Sequence, residues 1–221
     1  MTSKPIVAWS HSALDTFKTC PKKYFHEKIK KDVKFTETEA SSYGREVHKA
    51  FEEYVKAAQP LPLGMGHYAK YLDKFVAQPG VKYTELRMAL TSTFSPTGYF
   101  DDDVWFRGQA DLIVHDKHKA LVIDYKTGKI KDNFDQLDLM AAAAFTLDPQ
   151  IQHIVAAFFW TKGKTVTSKQ YHRNDTLEIW NRFMPQVARL EQAIKTTEFP
   201  AKPNFLCKNY CDVKSCPYNG T

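Results

Sequence analysis

Apolar residues recur at helical spacing through the first 80 residues of the chain. The pattern predicts a helix that Ser10 could cap and that bends or breaks near Cys20-Pro21, a helix over 41–58 and a helix at about 67–77. The polar stretch 31–40 predicts a loop. The apolar positions on these three faces are Leu14, Phe17, Tyr24 and Phe25; Val47, Phe51, Tyr54 and Ala58; and Tyr68, Leu72 and Phe75.

The spacing changes after residue 80 to the alternation that is typical of strands. Segments 83–94, 104–116 and 119–128 predict three neighbouring strands joined by short polar turns. An alanine-rich helix over 133–147 and a buried strand over 151–161 follow. The last predicted helix opens at Asn174 or Asp175 and kinks near Pro185, and the tail after residue 197 has no periodicity.

This order of elements predicts an α/β fold with a central mixed sheet flanked by helices. The chain is expected to form a single domain over 1–221. Within it we distinguish a helical N-terminal region (1–80), a catalytic sheet and helix (81–173), and a C-terminal helix with a cysteine-rich tail (174–221).

Composition narrows the functional classes. The 221 residues are 43% hydrophobic and 25% charged, which is typical of a globular domain with a real core. The net charge of +6 favours a polyanionic partner. No stretch approaches ~18 continuous apolar residues and the start lacks the apolar core of a signal peptide, so we expect no membrane span and a cytoplasmic protein.

Polar residues stand where two of the predicted strands should be buried. Asp124 and Lys126 end one strand and point to the same side, and Asp111 lies where the preceding strand becomes apolar. Alone, the Asp-x-Lys pair is typical of a surface ion pair. Two carboxylates on adjacent strands, however, could hold Mg²⁺ or Mn²⁺ against a phosphodiester, and Lys126 could orient water or meet developing negative charge.

Three segments carry a family resemblance: GQAD (108–111), VIDYKTG (122–128) and DQLDLM (135–140). They resemble the RecB-like branch of the PD-(D/E)XK nucleases. The stretch 9–29 is similar to the N-terminal pattern of that branch, and 43–52 is similar to its histidine-bearing helix. The resemblance extends over nearly the whole chain.

The resemblance implies a role for each candidate residue. Asp111, Asp124 and Lys126 would be catalytic. The metal ligands would be His48, Asp111, Asp124 and the main-chain carbonyl of Tyr125, with Glu85 in support. Gln136 would contact substrate DNA, although Met140 stands where the helix motif of the family has tyrosine.

The function implied is a Mg²⁺- or Mn²⁺-dependent exonuclease that acts on single- or double-stranded ends of linear DNA in phage or cellular recombination, replication or repair. The chain has no G-x-x-x-x-G-K-[ST] segment, so a separate helicase or single-strand annealing or binding protein could deliver its DNA. The alternatives are a DNA-binding module without turnover, a structure-specific endonuclease of the same fold, and an enzyme acting on another polyphosphate such as capped RNA.

Four cysteines raise a second metal question. Cys20 lies near the start, and Cys207, Cys211 and Cys216 lie in the tail with C-x3-C-x4-C spacing. Four soft ligands suit a [4Fe–4S] cluster or zinc, and unligated thiols are the third alternative. The resemblance extends to relatives in which one N-terminal and three C-terminal cysteines hold a [4Fe–4S] cluster, usually with C-x2-C-x5-C spacing.

Overall fold

The computed structural model describes residues 7–33 and 37–221. The helices of this part of the chain are α1 (His11–Thr19), α2 (Pro21–Tyr24, continued by a π-helical turn over Phe25–Lys30), α3 (Glu39–Ala57), α4 (Ala69–Val76), α5 (Asp135–Leu147), α6 (Thr176–Thr196) and α7 (Leu206–Asn209). The strands are β1 (Val81–Leu90), β2 (Phe106–Asp116), β3 (Lys119–Lys126), β4 (His153–Trp160) and β5 (Thr165–His172). Among the helices so described, none is long and apolar enough to cross a membrane.

The strands form one sheet in the order β1-β2-β3-β4-β5. Only β3 and β4 pair in parallel, and α5 is the helix in the connection between them. The other neighbours pair antiparallel. The predicted α/β fold, a mixed central sheet flanked by helices, is therefore confirmed, whereas the domain boundaries stay a prediction.

Side chains alternate across the strands and supply two hydrophobic layers. On β4, Ala157 and Phe159 pack with α3 and α4, whereas Ala156 and Phe158 pack with α1, α5 and α6. The alanines of α5, Ala141 to Ala144, are all buried, and their small side chains let this helix lie close to the sheet.

One ionisable side chain is buried within α5. Asp138 accepts hydrogen bonds from Lys169 Nζ (2.8 Å) and Tyr171 Oη (2.6 Å) on β5, and from Arg182 on α6. Burial alone would raise the pKa of Asp138, but these donors outweigh it and lower the pKa. The network therefore attaches the edge strand and the last long helix to α5.

The N-terminal helices begin and end close to the residues that the sequence pattern predicted. Ser10 Oγ accepts the Ala13 N–H at 3.2 Å as the predicted cap of α1. The predicted break occurs at Cys20, and Pro21 begins α2, where proline removes no needed hydrogen bond. Thr38 caps α3, which begins at Glu39 rather than at residue 41, and the predicted loop 31–40 includes three residues, 34–36, outside those described.

Strand β5 was not predicted. Its segment is polar, and only Tyr171 is buried, because the strand lies at the sheet edge with most of its side chains in water. Strand β1 ends at Leu90 rather than at 94, since Thr91 and Ser95 close a turn there.

The C-terminal part of the chain follows the prediction in part. Asp175 is the N-cap residue of α6, which confirms the predicted start of the helix, but its side chain accepts the His172 N–H at 2.8 Å in a 3₁₀ turn instead of an N–H of α6. Pro185 lies inside α6, which runs from Thr176 to Thr196, and the kink predicted near it stays a prediction. The tail, predicted to be irregular, contains the short helix α7.

The layer against α3 and α4 depends on one aromatic residue. Phe159 is fully buried and contacts the rings of Phe51, Tyr68, Tyr71, Phe75 and Tyr125. We expect Phe159→Ala to lower the free energy of unfolding by about 3–5 kcal/mol, because it leaves a cavity among these rings. Urea unfolding measures the change. The matched control is Val166→Ala on the exposed face of β5, which should cost less than about 1 kcal/mol; equal losses would contradict the assignment.

Candidate active site

The carboxylate of Asp111 lies at the centre of the site. It projects from β2, is 7% exposed, and accepts the backbone N–H of Tyr125 on β3 at 2.5 Å through Oδ2. Its Oδ1 lies 3.1 Å from Nδ1 of His48 on α3. Asp111 therefore links a helix and two strands.

His48 reaches the sheet from the edge of the buried face of α3. Its ring packs edge-on against Tyr125, with 5.8 Å between centroids, which fixes its orientation toward Asp111. Burial would lower the pKa of His48, but the hydrogen bond and negative charge of Asp111 outweigh burial and raise the pKa.

Glu85 lies opposite Asp111 in an interrupted part of the sheet. Thr84 pairs with Leu112 and Leu86 with Ala110, but the ladder has no pair at Glu85, whose φ of 51° is left-handed. This conformation is uncommon for a residue with a side chain and costs about 1 kcal/mol or more. Burial and the Asp111 charge raise the pKa of Glu85, and Gln109 donates a hydrogen bond to it.

His48, Glu85 and Asp111 together could hold a metal ion, since one ligand atom from each lies within 4.8 Å of the others. A histidine nitrogen and carboxylate oxygens suit Mn²⁺, and the oxygens suit Mg²⁺. The prediction from sequence had given Glu85 only a supporting place, whereas the structure sets it beside the two stronger candidates. Asp124 is outside this group of three.

Asp124, Lys126 and Gln136 form a closed set of contacts next to that group. Lys126 Nζ is 2.5 Å from Asp124 Oδ2 and donates to Gln136 Oε1 at 2.8 Å. Gln136 Nε2 donates to Asp124 Oδ1 at 2.6 Å. Both ends of the Gln136 amide are thus bonded to the two candidate catalytic residues, and its predicted contact with DNA stays a prediction, as does the Tyr125 carbonyl as a ligand.

Asp124 carries a buried charge that is incompletely compensated. Burial, with a further contribution from the Asp111 charge, raises the pKa of Asp124 to about 7, while Lys126 opposes the rise. Despite the ion pair, Asp124 Oδ2 has no properly directed hydrogen bond from any residue in 7–33 or 37–221. A buried carboxylate whose Oδ2 has only the Lys126 ammonium beside it, and which lies near the Asp111 charge, is a group that a divalent cation would stabilise, so the residues fit the predicted metal.

Two cavities flank this set, with volumes of about 330 and 370 Å³. Both are lined by His11, Lys126 and Gln136. The first also carries Lys18, Lys129 and Lys131. His11 and these lysines belong to no motif in the sequence, and only the fold brings them together.

The four cysteines line one small cavity of about 20 Å³, which is room for about one water molecule. Among the residues described, however, their sulfurs do not form a group of ligand atoms within 4.8 Å of one another. Tetrahedral zinc, with Zn–S bonds of ~2.3 Å, would need sulfurs closer than that. This separation does not fit the zinc alternative, and the structure gives no support to the predicted iron–sulfur cluster.

The fold and the site together define a mixed-sheet α/β protein with a buried acidic site, a lysine two residues from one of the acids, and room for a metal ion. A family model of the PD-(D/E)XK nuclease superfamily matches residues 8–217, and the chain belongs to this superfamily.

Two solved structures are similar to the chain. The crystal structure of SSO0001 is 15% identical with a TM-score of 0.43, over 99% of this chain and 90% of that one. A protein from Eubacterium rectale, provisionally named an exonuclease, is 14% identical with a TM-score of 0.44, over 85% and 82% of the two chains. No curated protein matches the chain in a sequence comparison.

Binding of a metal ion at the candidate site can be tested by its effect on the thermal stability of the protein. We expect Mn²⁺ to stabilise the wild-type protein against heat, by about 2.7 kcal/mol at a concentration one hundred times its Kd. Glu85→Gln should reduce this gain because a ligand charge is lost. Without metal the variant should be at least as stable as wild type, because the half-buried charge that Asp111 repels is gone.

Differential scanning calorimetry with and without Mn²⁺ measures both effects. Glu198→Gln, a change of the same charge at an exposed residue, is the control and should leave the Mn²⁺ response intact. A full response in Glu85→Gln would remove Glu85 from the ligand set.

Proposed function

We propose that this protein is a metal-dependent deoxyribonuclease that degrades linear DNA from its ends. One observation carries the proposal: in a chain of the PD-(D/E)XK nuclease superfamily, ligand atoms of His48, Glu85 and Asp111 converge within 4.8 Å beside an ammonium group held by Asp124. This arrangement joins a cation site to a proton donor in one place, as phosphodiester hydrolysis requires.

The metal would be Mg²⁺ or Mn²⁺. His48, Glu85, Asp111 and Asp124 would hold it, with the Tyr125 carbonyl as a further proposed ligand. When bound, such an ion neutralises phosphate charge and lowers the pKa of a coordinated water.

Lys126 would act on the scissile phosphate or on the attacking water. Its ammonium has three N–H donors, and its contacts with Asp124 and Gln136 leave one for a further acceptor. Gln136 would be a positioning residue, because it holds the carboxylate and the ammonium in fixed relation through its amide.

The positive charge of the protein, and of the cavity beside the candidate active site, favours a DNA substrate. The net charge is +6, and Lys18, Lys129 and Lys131 line the cavity that also contains Lys126. Lysines that neutralise successive phosphates supply most of the affinity of sequence-independent binding. Such a surface suits an enzyme that must hold DNA of any sequence.

The end preference rests on the resemblance to RecB-like nucleases. A role in recombination, replication or repair in the cytoplasm of a cell or phage-infected host, and delivery of DNA by a helicase or a single-strand annealing or binding protein, are parts of the same proposal.

One gel assay tests the proposal. End-labelled single- and double-stranded linear DNA and a closed circle are incubated with Mg²⁺, Mn²⁺ or EDTA. We expect wild type to shorten the linear substrates with either metal and to spare the circle. Lys126→Ala and Asp124→Asn should slow cleavage by about a hundredfold or more, because each removes a charge at the reacting phosphate. Lys162→Ala, at an exposed lysine, is the matched control.

The other outcomes decide between the alternatives. Nicking of the circle would make the enzyme an endonuclease. If the protein shifts the DNA in the gel but does not cut it with any metal, the protein is a DNA-binding module without turnover. Cleavage of RNA in preference to DNA would reassign the substrate.

A [4Fe–4S] cluster on Cys20, Cys207, Cys211 and Cys216 enters no step of this proposal and stays a prediction from the sequence. Iron–sulfur proteins absorb near 400 nm, so the spectrum and iron content of protein purified without oxygen would test it. Colourless, iron-free protein would exclude it.

A further inference from the structure

Two arginines and two aromatic residues form a cluster beside the site. The Arg87 guanidinium lies 5.3 Å from the ring centroid of Tyr99 and 5.2 Å from that of Phe100. The Arg107 guanidinium lies 5.4 and 5.9 Å from the same two rings. We call these four residues the arginine–aromatic platform.

The platform adjoins the candidate catalytic residues. Arg107 lies on β2 four residues before Asp111, about 13 Å away at ~3.3 Å per residue. Tyr99 and Arg107 line the cavity of about 370 Å³ that also contains Lys126 and Gln136. A ligand in this cavity would therefore touch the platform and the candidate catalytic lysine together.

The two guanidinium groups carry positive charge that the described protein does not neutralise. No carboxylate oxygen of residues 7–33 or 37–221 lies within 4.0 Å of either group. The nearby Asp101 and Asp103 are bonded back to Gly98 and Thr97 instead. Arg107 Nε is buried and has no hydrogen-bond partner among those residues. Two like charges over the same two rings, one with an unsatisfied N–H, form a site for an anion.

One ring of the platform faces solvent, whereas Tyr99 is half-buried. Phe100 is 72% exposed, although apolar side chains of this size usually pack away from water. An exposed ring with arginines around it offers stacking to a flat base and ion pairs to its phosphates. Both faces of a base inside a duplex are already stacked, so a base away from the very end of the DNA could use this ring only if its strand were unpaired.

We propose that the arginine–aromatic platform binds a nucleotide of single-stranded DNA a few positions from the scissile phosphate. Its base stacks on Phe100, and Arg87 and Arg107 hold the adjoining phosphates. This inference rests on the proposed nuclease function for its orientation, and it goes further by making an unpaired strand the form of DNA that the site accepts.

Binding without cleavage tests the platform. The affinity for fluorescein-labelled oligothymidylate is measured by anisotropy in EDTA over a series of salt concentrations. Phe100→Ala should weaken binding about tenfold, the effect of one lost base–aromatic stack, without changing the salt dependence. Arg107→Gln should weaken binding and also lower the slope of log K against log salt by about 0.7, the value for one phosphate contact on a single strand.

The controls are an exposed residue of each kind away from the platform. Phe205→Ala and Arg189→Gln should bind as wild type does. Arg87→Gln should repeat the salt effect of Arg107→Gln if the partly buried Arg107 cannot be replaced without unfolding. Phe100→Trp should restore the affinity lost in Phe100→Ala.

The outcomes separate the two proposals. Wild-type affinity in Phe100→Ala and in the arginine variants, or an equal loss in the controls, would overturn the platform even if the protein cuts linear DNA. No detectable binding of the oligonucleotide by wild type would overturn it as well. A specific loss in the platform variants, in a protein that cuts no DNA with any metal, would keep the platform and overturn the nuclease function.

Discussion

The site depends on the contacts of one buried carboxylate, that of Asp111. It accepts the Tyr125 N–H from β3 and faces His48 from α3, so one side chain fixes the spacing of a helix and two strands. A buried carboxylate is stable only with such partners. Replacing Asp111 would leave the Tyr125 N–H and the His48 ring without their acceptor. The other candidate metal ligands would then lose the side chain that holds them near one another.

The electrostatics of the site oppose the stability of the fold. Glu85 and Asp124 both have pKa values raised by burial and by the Asp111 charge. Lys126 beside Asp124, and His48 beside both acids, offset only part of this repulsion. The hydrophobic layers, one of which buries the stacked rings of Phe159 and Phe51, hold the acids together against this repulsion. Charged groups placed close together at a cost to the stability of the fold are typical of functional sites. The repulsion among these carboxylates would favour the binding of a cation between them.

Strong local patterns in the sequence predicted the sheet and the main acids. Asp124 and Lys126 close a strand whose apolar run is unmistakable, and the alanine-rich helix could only be buried. Strand β5 was not predicted because an edge strand needs no apolar alternation. Its network with Asp138 also depends on donors that lie 31 to 44 residues from Asp138 in the chain. Glu85 was underestimated because its left-handed backbone has no signature in a residue that is neither glycine nor asparagine. The arginine–aromatic platform joins a loop to two strands, so only the folded chain shows it.

The interruption at Glu85 explains how two layers of helices reach one site. Leu86 and Ala110 pack toward α5 and α6, whereas Leu112, two residues after Ala110, packs toward α3 and α4. In a regular strand, residues two apart share a face, so the strand changes sides at this point. Continuing the register of Leu112 with Ile123 sets Asp111 opposite Asp124.

Because of that change, Asp111 meets His48 from the α3 side while Asp124 meets Gln136 from the α5 side. A flat, regular sheet would turn both acids to one layer and leave the other layer without a part in the site. The strain at Glu85 is therefore not a local defect: it is the backbone feature that lets a histidine and a glutamine from opposite faces of the sheet act on one pair of carboxylates.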